Sequence, residues 1–121
     1  MSSFEAIRQT VAEYTRAMTD GDGEAMQALF GADFVIEDPV GAPPIQGADA
    51  IATRVGAARA PGSLSLIGPV CGTAQRAAAP LRASFTLNGE DRTIDLIDVF
   101  DFDDEGRITS LRAYWGEDNF T

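Results

Sequence analysis

Apolar residues recur along the first part of the chain at the spacing of a helix. Phe4, Ile7, Val11, Tyr14 and Met18 lie three or four apart and share one helical face. Ser2, with Glu5 three places on, predicts a capping-box start, and Gly21 and Gly23 predict the stop. Asp22 is suited to cap a short second helix through Met26, Leu29 and Phe30, closed by Gly31. Residues 33–38 read as a strand ended by Pro39, which lacks the backbone donor a central ladder needs. After a loop from Gly41 to Gly47, residues 48–60 read as a third helix, with Ile51 and Val55 inward and Pro61 beyond its end.

From Gly62 the period changes from helix to strand. Leu64 and Leu66, then Leu81, Ala83, Phe85 and Leu87, alternate with polar or small residues. Asn88-Gly89 between two alternating runs is a strong hairpin signal, and Asp104-Glu105-Gly106 marks a turn before a final strand over 107–115. The run from Ala77 to Pro80 reads as a bend or the end of an edge strand. Helices followed by antiparallel hairpins predict an α+β fold, with helices packed on one face of a curved sheet. A length of 121 residues fits a single domain, 1–121.

Composition narrows the chemistry sharply. Nine basic residues, all arginine, stand against nineteen acidic ones for a net charge of −10, and neither lysine nor histidine occurs. Schiff-base lysines, Walker-type lysines, Ser-His and Cys-His pairs and histidine-rich zinc sites are thereby excluded. Proton transfer would have to fall to a carboxylate, a tyrosine or Cys71. So acidic a chain is not expected to bind nucleic acid or an anionic membrane. Cys71, with no basic neighbour in sequence, reads as a small buried hydrophobe. The start lacks a charged segment followed by an apolar run, so the chain reads as a soluble cytoplasmic protein.

Three polar side chains fall in apolar rows. Over residues 93–102 the even positions are Ile94, Leu96, Asp98, Phe100 and Phe102, while Asp95 and Asp101 take the other face. If the even row is internal, burial disfavours the charged form of Asp98 and leaves it able to donate a proton. The alternatives are a partly solvated row or an arginine partner. Asp38 shares the parity of Phe34 and Ile36, although an Asp before Pro also starts turns. Tyr14 lies in the helical stripe, where it could equally be a core residue with a wet hydroxyl. Two acids and a phenol turned into one small domain read as a catalytic pocket, because buried polar groups are costly.

Four segments resemble the bacterial ketosteroid isomerases, the steroid Δ5-3-keto isomerases, within the nuclear-transport-factor-like and SnoaL-like superfamily. They are Glu13-Tyr14-Thr15-Arg16-Ala17, residues 35–41 with Asp38-Pro39-Val40-Gly41, residues 97–102, and residues 111–119 with Tyr114-Trp115-Gly116. The resemblance implies a cone-shaped, mostly antiparallel sheet with three helices on its concave face. It also implies a homodimer, a steroid or similar flat hydrophobic ketone as substrate, and no metal or cofactor. By resemblance Asp38 is the general base, and Tyr14 and protonated Asp98 are the donors to the ketone oxygen. A neutral aspartic acid beside a carboxylate base is a known feature of that family. Phe34, Val55, Phe85, Phe100, Trp115 and Met26 would hold the substrate. Phe30 and Val55 stand where some members carry further tyrosines, so that extended network is not expected.

Two other readings stay open. One is another enzyme of the same fold, a cyclase, a dehydratase or an epoxide hydrolase of Asp-Arg-Asp type recruiting Arg54 or Arg112. The other is a non-catalytic module for hydrophobic-ligand binding or dimerisation, since a fold alone does not establish function.

Overall fold

The computed structural model describes residues 3–47, 49–52 and 62–121. Helix α1 (Phe4–Asp20) buries Ile7, Val11, Tyr14 and Ala17, the predicted stripe. Its cap is Ser3, not Ser2: extended Ser3 accepts from the Ala6 backbone N–H at 3.1 Å, and Glu5 pairs with Arg8 instead. At its other end Gly21 takes the left-handed conformation (φ 66°) and donates back into the last turn, a geometry that favours glycine. Asp22 caps helix α2 (Gly23–Leu29) through the Ala25 N–H, as expected. The Asp22 carboxyl is held below the usual range first by that N–H and then by Arg16.

Strand β1 (Phe30–Glu37) begins earlier than the sequence pattern predicts. Gly31 does not close α2; Phe30 is its C-cap, donating to the Gln27 carbonyl. Phe30 is extended, pairs with Ile108 and packs its ring 4.9 Å from Phe34, so tertiary burial overrides the local helical spacing. The remaining strands are β2 (Ile45–Gln46), β3 (Gly62–Leu66), β4 (Cys71–Gly72), β5 (Arg76–Leu87), β6 (Glu90–Phe102) and β7 (Ile108–Tyr114), followed by a short 3-10 turn, Glu117–Asn119. Residues 49–52 are helical, with Ala50 and Ile51 buried. The rest of the helix read over 48–60, including Arg54 and Val55, lies outside the described residues.

Among the described residues one seven-stranded sheet runs in the order β2-β1-β7-β6-β5-β3, with β4 also on β5. All its pairs are antiparallel except β1 with β7. The parallel pair is possible because the whole hairpin of β5 and β6 intervenes in sequence between its members. Register shifts between Phe30 and Val35 and between Asp101 and Phe102 bend the sheet. Asn88 (φ 54°) and Gly89 (φ 80°) form the predicted tight hairpin.

The run from Ala77 to Pro80 lies inside β5 rather than at a bend. Proline is tolerated there because the Pro80 carbonyl, and therefore its missing N–H, faces the edge where Ile67 donates to it, between β3 and β4. Cys71 is not buried. It lies on the short edge strand β4 opposite Ala78, on the outer face, and is exposed.

The two faces of the sheet differ in chemistry. Ala77, Ala79, Leu81, Leu96, Phe100, Phe102, Leu111 and Ala113 point inward and share one buried cluster with Ile7, Val11, Tyr14 and Ala17 of α1. Thr19 at the end of α1 exchanges hydrogen bonds with the Leu64 backbone, fastening the helix across the concave side. Outward lie the Arg82–Asp95 pair at 2.7 Å and the Arg76–Asp101 pair at 3.6 Å, with the directly opposed and half-exposed Ile97 and Tyr114. No helix among the described residues is long and apolar enough to cross a membrane.

Candidate active site

Strand β6 carries the even row inward as its parity predicts, and Asp98 sits in that row with 0% exposure. It is the buried charged-type residue among the described positions. Its neighbours in register are Ala79 on β5 and Ala113 on β7, both fully buried. Both flanking side chains are methyl groups, the smallest a strand position carries short of glycine. Asp95 and Asp101, one face over, pair with arginines, and Arg82 holds the Asp95 carboxyl below its usual range.

Tyr14 reaches the same region from α1. It has 0% exposure and stands edge-on to Phe100, with ring centroids 5.5 Å apart and an interplanar angle of 81°. Phe100 is two residues from Asp98 on the same face, so one aromatic contact ties the phenol to the carboxyl's row. Burying each such ring contributes about 1.5–3 kcal/mol, which fixes the helix position more firmly than any surface pair on it. Tyr14, Asp38 and Asp98 all have interaction partners in the structure.

Asp38 follows the last residue of β1 and is exposed at the rim rather than buried. Its Oδ1 accepts a 2.7 Å hydrogen bond from the indole Nε1–H of Trp115. The Asp38–Pro39 peptide is cis, and the chain then turns through Gly41 (φ 103°), whose N–H donates to Glu37. Two residues beyond Asp38, the Val40 N–H donates to the Ala113 carbonyl at 2.8 Å. Ala113 is the register partner of Asp98. One backbone hydrogen bond therefore ties the Asp38 turn to the strand position beside the buried carboxyl.

The remaining candidates divide between core and rim. Met26, Phe34 and Phe100 are buried core residues, and Trp115 is half-buried beside Asp38. Phe85 lies at the far end of the inner row, opposite Arg92, with its ring 5.8 Å from Phe120. Val55 is outside the described residues. Sequence reading missed Phe120: a lone aromatic after Gly116 has no periodicity, and only its bridge to Ile94 turns it inward. The Trp115–Asp38 bond was equally invisible, because its members are 77 positions apart. Among the described residues no group of three or more His, Cys, Asp or Glu side chains is arranged to hold a metal ion.

The site thus joins a fully buried acid, a buried phenol packed on the same strand row and an exposed carboxylate tied to that row through the backbone, and comparison with known proteins gives the family. The SnoaL-like domain profile matches residues 11–111. The chain is 37% identical over 110 residues, 90% of its length and 89% of the relative's, to a steroid Δ-isomerase of Nocardioides simplex. It is 29% identical over 126 aligned positions, 93% of this chain and 42% of the relative, to the epoxide hydrolase LasB of Streptomyces lasalocidi. The solved structure of SalBIII, an epoxide hydrolase/cyclase-like enzyme of salinomycin pyran-ring formation, superposes with a TM-score of 0.86. That comparison is at 28% identity and covers 99% of this chain and 98% of the other. The chain belongs to the SnoaL-like family and is a ketosteroid-isomerase-like member of it.

Replacing Asp98 by Leu is expected to leave the protein folded with an unchanged or higher Tm, because an apolar group takes the place of a buried acid in an apolar row. Thermal unfolding followed by circular dichroism measures it. A fall of roughly 5 °C or more, about 1 kcal/mol for a domain of this size, would instead make Asp98 a structural residue.

Proposed function

We propose that the protein isomerises a Δ5-3-ketosteroid to its conjugated Δ4 form. Asp38 takes a proton from C4, and the electrons flow toward the ketone to give a dienolate. Tyr14 and protonated Asp98 donate hydrogen bonds to the developing oxyanion. Asp38 then returns the proton to C6, so the C5–C6 double bond becomes C4–C5 with no change in atoms or oxidation state. A carboxylate alone is a weak base for such a carbon acid. Preorganised donors offset that weakness, one donor typically contributing about 10²–10³ in rate.

The observation that carries the proposal is the full burial of Asp98 in an apolar row whose Phe100 packs against the buried Tyr14. Burial disfavours the carboxylate, and a neutral acid is the form that donates. That arrangement is already known for ketosteroid isomerases. Asp38 is exposed, so substrate can reach its carboxyl for proton transfer. The indole N–H of Trp115 donates to Oδ1 of Asp38 and so orients the carboxylate that carries the proton between carbons. Similarity to the Nocardioides simplex steroid Δ-isomerase supports the same reading.

The likeness to LasB and SalBIII favours epoxide opening as a second reading. It calls for an arginine between two acids. Arg112 alternates with inward Leu111 and Ala113 and so belongs to the outer row, which removes one of the two candidates. Arg54 is outside the described residues. For the first reading no arginine is required.

The decisive assay is the rise of enone ultraviolet absorbance when a Δ5-androstene-3-ketone is added. The protein is expected to produce it, and Asp38→Asn is expected to lose roughly 10²–10⁴ or more in kcat while remaining folded. No absorbance change with the unaltered protein would reject the isomerase, and an active Asp38→Asn would move the base elsewhere. The same reading includes a homodimer formed through the outer sheet face, where Ile97 (48% exposed) and Tyr114 (47%) lie side by side. Sedimentation velocity should give twice the chain mass, and Ile97→Glu should give one chain mass. A monomer at micromolar concentration would refute the pairing.

A further inference from the structure

We propose that Arg92, at the open end of the concave row, hydrogen-bonds a neutral oxygen on the end of the substrate remote from the reacting ketone. This rests on the isomerase reading of the same site and adds a second polar anchor to it. Arg92 precedes Ile94, Leu96 and Asp98 by steps of two along β6, so its side chain leaves the same face of the sheet. Its register partner on β5 is Phe85. The C-terminal segment is bonded alongside, with reciprocal backbone hydrogen bonds between Thr93 and Thr121 at 2.9 and 2.8 Å and a bridge from Ile94 to Phe120. Phe120 therefore faces inward with Ile94, and the Arg92 guanidinium lies 5.3 Å from its ring centroid.

The other arginines with ion pairs are used differently. Arg16 bridges Glu13, Asp20 and Asp22 at 2.7–3.1 Å, and Arg82 grips Asp95 at 2.7 Å. Among the described residues the ion-pair partner of Arg92 is Glu90, at 3.9 Å, and the Glu90 side chain is 74% exposed. Arg92 Nε is covered and makes no hydrogen bond. Arg112 shares that feature but belongs to the outer row, while Arg8, Arg16, Arg76, Arg82 and Arg107 are exposed. Among the described residues Arg92 is the arginine on the concave row, in a chain where acids outnumber bases nineteen to nine. A cation left with so distant a carboxylate, in so acidic a chain, has its terminal N–H groups available for another acceptor.

Chemistry and length select that acceptor. A guanidinium stacked on an aromatic ring presents a rigid fork of donors and is weakly hydrated, so it suits an oxygen arriving on an apolar body. The net charge of −10 and the nearby carboxylates disfavour an anion, which leaves a ketone or hydroxyl oxygen. Six residues of strand separate Arg92 from Asp98, about 20 Å at roughly 3.3 Å per residue. Once both side chains reach inward, the space between them is of the order of a four-ring nucleus. Ile94 and Leu96 line that interval, and Phe85 and Phe120 flank its outer end.

The test compares two ligands that differ only at the remote end, androst-4-ene-3,17-dione and androst-4-en-3-one. Their Kd values are read from quenching of the single tryptophan, Trp115, whose emission reports binding whether or not turnover occurs. Arg92→Met is expected to weaken the dione about tenfold or more, the usual effect of losing a hydrogen bond from a charged donor, and the mono-ketone much less. Arg92→Lys, which keeps a charged donor, should recover part of the difference. Equal weakening of both ligands by Arg92→Met, or of neither, would overturn the proposal, as would failure of the unaltered protein to bind either. Selective loss of the dione without any enone-forming activity would reject the isomerase reading and leave the Arg92 anchor standing.

Discussion

A strand has two faces and no third place to put a side chain, and on β6 that constraint forces a carboxyl into the interior. The residues before and after Asp98 by two are Leu96 and Phe100, both buried, so any register that exposed Asp98 would also expose them. Burying the apolar row and burying the acid are one event. The surroundings accommodate it: Ala79 and Ala113 flank the carboxyl with small side chains, and Tyr14 packs edge-on against Phe100 of the same row. The same strand sends Asp95 and Asp101 outward, where arginines meet them. Identical side chains a few residues apart thus occupy opposite dielectric surroundings by parity alone.

The lack of histidine and lysine gives this partition its consequence. With no imidazole to titrate near neutrality, the fold must set acid and base roles by location. Asp98 has full burial, whereas Asp38 sits at the rim with an indole N–H on one oxygen. In the proposed reaction the first donates and the second accepts. The hydrogen bond from Val40 to Ala113 keeps those two locations in register, because it fastens the Asp38 turn to the strand next to Asp98. The paired and exposed charges that make up much of the −10 lie on helices, turns and the outer face and contribute little to this arrangement.

Much of this was legible in the sequence wherever local periodicity and burial agree. The α1 stripe, the Asn88-Gly89 hairpin and the even row of β6 are such cases, since each is decided within a dozen residues. What the pattern missed depends on partners distant in sequence. Phe30 continues a helical spacing but is claimed by Ile108, and Pro80 stays within β5 because its missing donor faces a gap between two edge strands. Cys71, with no basic neighbour in sequence, reads as a buried hydrophobe, while its pairing with Ala78 turns it outward. The inward Phe120, the stacked Arg92 and the bond from Trp115 to Asp38 are long-range closures that no spacing rule encodes.

The central claim is that the buried acid of β6 is neutral, the form in which it can donate to a substrate oxygen. Infrared difference spectroscopy of the unaltered protein against Asp98→Asn at neutral pH tests it without reference to turnover. The account predicts that the substitution removes a protonated-carboxyl C=O band and leaves the carboxylate bands unchanged. Loss of carboxylate intensity with no protonated band would mean that Asp98 is ionised, and would contradict the assignment of roles on which the rest is built.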